Sequence, residues 1–409
     1  MSGDRSLADG SPCEAAADLV VVGAGVMGAW TALAAQRAGR RTILVDAYGV
    51  GHPRATSGDE SRIMRAAHGA DAFYTRWSRR ARERWIAFGA EASIPLFEQV
   101  GCLWLARRDD GLEAASEATL RAQGIPVERL GPREIESRWP QIDATGIVFA
   151  IYEPEAGLLR ARRGVMAVVD AFREAGGRFE LASVEPARPS GARLAAVVAE
   201  DGRELLGEQF VFACGPWLPR LFRPVIGDLI RVTKQDVIFV GPPGGDDRFA
   251  AGRLPCFVDY DAAFYGIPAI DGRGVKVAPD RYGPVFDPSA GERIVDPDSA
   301  HLTRRYMAER FPALAAQPIV ETRVCQYETT PDTHFLIDRH PDLENAWLVG
   351  GGSGHGFKHG PVIGEYVLGL LDGAQPGEDE ARFSLDRARP AQVGMRTGGD
   401  SIVTTWQGY

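Results

Sequence analysis

Lysine is almost missing from this chain. Of the 46 basic residues among 409, only Lys234, Lys276 and Lys358 are lysine. A codon bias toward arginine accounts for the scarcity, yet it marks the three that remain, because lysine offers a compact charge with a tunable pKa. Cysteine is sparse as well: Cys13, Cys102, Cys214, Cys256 and Cys325 are scattered without a CxxC pair. An odd, dispersed set argues for a reducing compartment and against a zinc site. No apolar run approaches the ~20 residues of a membrane span, and the opening MSGDRSLADGSPCEAAA has no signal-peptide core. A cytoplasmic protein with no membrane partner is the expectation. The net charge of −9 argues against nucleic acid. Internal repeats are absent too.

What is present begins at Asp18. Leu19 to Val22 form a continuous apolar run, as a strand buried on both faces requires, and Gly23-Ala24-Gly25-Val26-Met27-Gly28 follows at once. Ala29 to Ala38 are mostly helix formers, Gly39 supplies a stop, and Thr42 to Val45 give a second strand ending in Asp46. This strand-helix-strand unit has the chemistry of a dinucleotide grip. Gly23 permits a tight turn, Gly25 lets the backbone approach a pyrophosphate, and Gly28 lets the helix pack closely on the sheet. Asp46 stands where a carboxylate accepts hydrogen bonds from ribose hydroxyls, and an acid there disfavours the 2′-phosphate of NADP.

Farther along, a loop rich in Gly, Pro and Ser runs into SRIMR, where Ser61 precedes Arg62 and Arg65. Three residues apart, the two arginines share one side if the segment is helical, and they fit a solvated surface equally well. An amphipathic helix is expected over Asp71 to Gly89, a strand over Glu98 to Ala106, and helices over Asp109 to Gln123, Gly131 to Trp139 and Arg160 to Glu174. Gly146 to Tyr152 has a strand pattern. Short strands from Phe179 to Leu206 lead into an apolar strand that breaks at Cys214-Gly215-Pro216. β-rich stretches at Ile230 to Val240 and Cys256 to Val277, a helix at Asp298 to Arg310, and strands at Thr322 to Tyr327 and Asn345 to Gly350 follow. The run GGGSGHGFKHG then opens a helix at Pro361. Beyond Arg382 a loose polar tail is expected, with one apolar patch at Ile402-Val403.

One glycine-rich helix start opens the chain and the other nearly closes it, so the cofactor domain is discontinuous. We expect an α/β protein: a Rossmann-like domain over residues 15–90, 146–228 and 335–382, a β-rich α+β substrate domain over 91–145 and 229–334, and a tail over 383–409. The second helix start suits a flavin. Reduction places negative charge on the ring, which the positive end of a helix stabilises, so FAD explains two grips where NAD needs one.

The motifs VVVGAGVMG with Asp46, SRIMR, FYGIP followed by VK, CQYETTPDTHFLID and GSGHGFKHGP carry a resemblance. Over residues 18–380 the sequence resembles amine oxidases related to D-amino-acid oxidase, and among them the family of monomeric sarcosine oxidase, N-methyltryptophan oxidase, pipecolate oxidase and the Amadori-product oxidases. The resemblance implies a monomeric flavoprotein that oxidises a secondary amino acid and passes electrons to O₂, giving hydrogen peroxide. It assigns Cys325 to a covalent bond with FAD, Arg65 and Lys358 to the substrate carboxylate, and Lys276 to oxygen activation. Tyr265 and Tyr327 match pocket tyrosines, and Ser61, Arg62, Gly354, His355 and Gly356 fall in flavin-contacting motifs. Two positions depart from sarcosine oxidase, where histidines stand in place of Asp280 and Gly58. An acid at Asp280 is similar instead to the Amadori-product oxidases and the nikkomycin-pathway oxidase, and implies that Asp280, helped by Glu98, accepts hydrogen bonds from a substrate NH or hydroxyl.

Overall fold

The computed structural model describes residues 16–387. Its first sheet grows from the glycine-flanked strands. Ala17–Val22 pairs in parallel with Thr42–Asp46 on one side and Glu204–Phe212 on the other. The unbroken apolar run has a direct cause: Leu19 and Val21 enter one core, while Val20 and Val22 enter a second on the opposite face. The first core holds the helices Val26–Arg37, Ala161–Glu174 and Gly360–Leu371; the second is filled by Phe210, Phe212, Leu218 and Phe222. Arg178–Leu181 and Ala346–Gly350 extend the parallel order at the two sides. This is a Rossmann-like α/β architecture.

A second sheet of eight strands runs from Ile319–Thr329 through Arg231–Val240, Val275–Pro279, Phe264–Ile267, Cys256–Asp259, Cys102–Ala106 and Phe149–Glu153 to Glu128–Leu130. Its outer face packs on the helix Pro297–Arg310 through Tyr306 and Met307. A small third sheet joins Ser61–Met64, Gly157–Arg160 and Phe97–Glu98. Among the described residues no helix is long and apolar enough to cross a membrane.

Several local expectations change. SRIMR is a strand, not a helical turn, because Ser61–Met64 pairs antiparallel with Gly157–Arg160, a strand the sequence pattern did not disclose. The strand expected over Glu98 to Ala106 is broken at Gly101, whose φ of 75° suits glycine, so Glu98 belongs to the small sheet. Phe149–Glu153 pairs with Cys102–Ala106 in the second sheet, which moves that segment out of the 146–228 portion. The tail does not begin loosely. Phe383 is fully buried among Phe73, Tyr74 and Phe335, and Arg387 donates to Asp332 at 2.6 Å. Ile402-Val403 and Cys13 lie outside the described residues.

Candidate active site

A cavity of about 480 Å³ opens where the carboxyl ends of the parallel strands meet the second sheet, the place where open α/β sheets hold ligands. Gly23, Gly25 and Asp46 line one end. Gly23 has φ +104°, and a Cβ there would stand 2.4 Å from the Ala213 carbonyl oxygen. A Cβ at Gly28 would lie 1.9 Å from the Gly23 oxygen, so the helix sits hard against the turn. Gly25 differs. Its Cβ would meet only Ser57 Oγ at 3.5 Å, so protein packing leaves that space open toward the cavity. Asp46 Oδ2 accepts from the Ala24 N–H at 2.8 Å and Ser57 Oγ accepts from the Val26 N–H at 3.0 Å, which fixes the loop at the positive end of its helix.

The second glycine run reaches the same cavity through Gly354, His355, Gly356 and Lys358. Its backbone is tightly wound: Gly351, Gly354 and the non-glycine Ser353 all have positive φ, and Ser353 Oγ braces the turn by donating to the Gly351 carbonyl at 2.9 Å. A Cβ at Gly356 would lie 2.9 Å from Met27 Cε, so the two grips touch.

Between the grips lie the charges. Arg62 donates to Asp59 at 2.6 Å, to the Thr56 carbonyl at 2.7 Å and to Cys325 Sγ at 3.5 Å. Cys325 lines the cavity with this guanidinium beside its sulfur. Arg65 lies 4.8 Å from the Trp104 ring centre and donates to the Ala67 carbonyl. Lys358, 3% exposed, donates to the His355 carbonyl at 3.0 Å, and His355 Nε2 bonds the Thr333 carbonyl at 2.9 Å. Arg65, Lys358, Tyr265, Tyr327 and Asp280 all line the cavity, and Tyr327 donates to Asp280 Oδ1 at 3.1 Å.

Three sequence-named residues stand behind the wall: Gly28, Ser61 and Lys276 are not among those lining the cavity. Lys276 is 1% exposed and is held by the Asp59 carboxylate and by the Ser61 carbonyl at 3.0 Å. Its ammonium lies 5.8 Å from the centre of the Tyr265 ring. Burial lowers the Lys276 pKa, against the pull of Asp59. Burial would raise Asp59, but Lys276 and then Arg62 hold its carboxyl well below the usual range. Glu98 is spent elsewhere, accepting from Arg160 at 2.6 Å, and does not reach the cavity beside Asp280. Gly58 admits no side chain, since a Cβ there would lie 2.0 Å from the His52 carbonyl oxygen.

Sequence reasoning missed Asp59, Ser57, Trp104 and Glu328. An acid three residues before Arg62 is the one local signal for Asp59. His68, His355 and His359 bring ring nitrogens within 4.8 Å of one another, yet burial and then the Arg65 and Lys358 charges hold His68 and His359 neutral and would repel a metal cation.

These features fit a flavin dinucleotide: two glycine cradles with room at Gly25, two helix starts, and a buried Glu328 oxygen without a protein partner between them. Residues 18–370 match the family described as FAD dependent oxidoreductase (DAO). Peroxisomal sarcosine oxidase of Mus musculus is 28% identical over 381 residues, covering 90% of this chain and 96% of its own. Monomeric sarcosine oxidase of Streptomyces avermitilis is 30% identical over 363 residues, covering 86% and 93%. L-proline dehydrogenase from P. horikoshii superposes with a TM-score of 0.79 at 20% identity, covering 90% and 97%, a likeness of fold. With nearly the whole chain inside that match, it belongs to the DAO family and is an FAD-dependent oxidoreductase.

Proposed function

We propose that this enzyme is an amine oxidase acting on CH–NH groups, with an N-alkyl or cyclic amino acid as substrate. The observation that carries this is the placement of Arg65 and Lys358 in one cavity wall with Tyr265, Tyr327 and Asp280, beside both glycine grips. Two cations around a carboxylate fix its orientation, and Arg adds a planar, multidentate donor. The same charges lower the pKa of the substrate amine, keeping the lone pair that imine formation needs. Asp280, oriented by the Tyr327 hydroxyl, accepts a hydrogen bond from a substrate NH or hydroxyl. Gly23, Gly25, Gly28 and Asp46 would hold the adenosine end of FAD, and Arg62, Gly354, His355 and Gly356 the flavin end. Bound FAD supplies the hydride acceptor and returns the electrons to O₂ as hydrogen peroxide. Cys325 would carry it covalently, with the Arg62 guanidinium 3.5 Å from its sulfur. The division into a discontinuous FAD-binding domain and a substrate domain follows the two large sheets, with 149–153 assigned to the second. A cytoplasmic monomer completes the reading.

One observation favours a second reading, a dehydrogenase that hands electrons to a quinone or carrier. Lys276 is clamped by Asp59 and Ser61 behind the wall, where its charge is partly offset. Acid denaturation of one sample tests the covalent bond, and anaerobic mixing of a second, native sample with substrate separates the cases. We expect yellow colour to stay with the polypeptide and to be released by Cys325→Ala, and sarcosine, pipecolate, proline or a fructosyl amino acid to bleach the flavin, with peroxide appearing on admission of air. Bleaching without peroxide, but with dye reduction, would establish the dehydrogenase. No bleaching by any amino acid would end both.

A further inference from the structure

Glu328 follows Tyr327 on the strand Ile319–Thr329 and reaches the point where the two glycine runs meet. It is 6% exposed. The backbone of Gly352 and Gly351 lies beside its carboxyl and offsets part of the upward pull of burial. A Cβ at Gly352 would stand 3.3 Å from its Oε1, and Cβ atoms at Gly350 and Gly215 would stand 3.5 and 3.8 Å from its Oε2, so glycines surround it on two elements. Oε2 has no protein partner, and Glu328 lines the cavity. Among the described residues it is the one carboxyl in that wall with an open, buried oxygen. Met27, Leu218 and Ile230, which approach the same glycines, are apolar. The titratable group that faces it is Cys214, at the end of Glu204–Phe212, whose thiol burial pushes up, with Asp46 and then Glu328 adding to the effect. Among the described residues no side-chain cation compensates a charge here.

A carboxylate at this place would face the negative middle of a dinucleotide, whereas a carboxylic acid would offer it a donor. We propose that Glu328 is a cofactor-binding residue that works protonated, its carboxyl O–H donating to a phosphate or hydroxyl oxygen in the middle of FAD. Burial already pushes its carboxyl up to about 7, and a neighbouring phosphate raises it further. Binding from above that pH therefore consumes a proton: carboxylate, proton and FAD combine to the acid-bearing complex. This rests on the FAD grip described above.

The test is titration of apoprotein with FAD by calorimetry between about pH 6 and 9, in two buffers of different ionisation heat, using the full chain with Cys325→Ala to keep FAD exchangeable. We expect proton uptake to approach one per FAD and affinity to fall by up to about tenfold per pH unit above about pH 7. Glu328→Gln, a neutral donor of the same shape, should bind without that uptake and with a flat pH profile, and Glu328→Ala should also be flat but bind more weakly than Glu328→Gln at every pH. PH-independent affinity in the parent protein, or the same slope in Glu328→Gln, would overturn the proposal while leaving the FAD site standing. No binding of FAD at any pH would overturn both.

Discussion

Asp59 is one carboxylate shared by three cations, the buried Lys276, the half-buried Arg62 and, at 3.4 Å, Arg323. Removing its charge leaves the buried Lys276 ammonium without its counter-ion and Arg62 without its ion-pair partner, so Asp59→Asn should cost about 3–5 kcal/mol in urea unfolding of apoprotein at neutral pH. The pH dependence has a definite sign. The folded carboxyl is held below its unfolded value of about 4, so the contribution is complete above that value and is lost as pH falls through it toward the folded pKa. The stability gap between parent and variant should therefore be constant from pH 7 to about 5 and narrow below about 4. A gap that does not change with pH, or one under about 1 kcal/mol, would show that the cations are relieved by water or by the Glu60 carboxylate rearranging nearby. The residue was hidden in the sequence for a physical reason. Arg62 and Arg65 stand out in SRIMR, but the partner that gives Asp59 its meaning, Lys276, arrives from a strand 217 residues away. Glu328 was hidden likewise, because only the fold brings the Gly350–Gly352 turn against it.

At the scale of elements, the two grips are coupled by two helices that cross with almost nothing between them. Gly360 and Gly364 occupy one face of the helix Gly360–Leu371, four residues apart, against Val26 and Trp30 of the first glycine helix. A Cβ at Gly364 would lie 2.7 Å from the Trp30 carbonyl oxygen, backbone that a rotamer change does not move. Overpacking of this kind costs about 1–3 kcal/mol, which exceeds the ~1 kcal/mol that alanine returns in helix propensity. Gly364→Ala should lower the melting temperature and the fraction of protein purified with flavin. Gly369 in the same helix is the control, since its Cβ would meet Ala374 Cβ at an ordinary 3.8 Å. Gly369→Ala should leave flavin content unchanged and stability equal or higher. Equal losses in both would mean that helix propensity, not the crossing, governs this segment. Long elements were legible in the sequence because a 3.6-residue or continuous apolar pattern repeats over many positions. Ser61–Met64 and Gly157–Arg160 were not, because four residues are too few to show a period of two.

Over the whole molecule, the cavity is a seam. Gly23, Asp46 and Cys214 line it from the first sheet, and Gln235, Tyr265, Cys325 and Tyr327 from the second. The chain closes over this arrangement late: Arg382 donates to Asp71 at 2.8 Å and Arg387 to Asp332 at 2.6 Å, so the segment near residue 385 ties the helix Ala72–Glu91 to the loop that follows Cys325. Sequence reading took this stretch as loose because Phe383 is an isolated apolar residue among charges, and an isolated residue carries no pattern until its pocket is known. A ligand that spans the seam stabilises both sheets together, while one that fills only the first grip stabilises one. Melting the exchangeable apoprotein with ADP and with FAD at the same multiple of each dissociation constant removes the affinity term, which is about 2.7 kcal/mol at 100-fold excess for either. Under that condition equilibrium linkage predicts equal shifts only for a single cooperative unit. If the sheets unfold as two units, ADP should raise one transition and FAD both, merging them into a single sharper endotherm by calorimetry. One transition throughout, shifted equally by ADP and FAD, would establish that the sheets are welded by their own packing and that the cofactor occupies a seam it does not hold together.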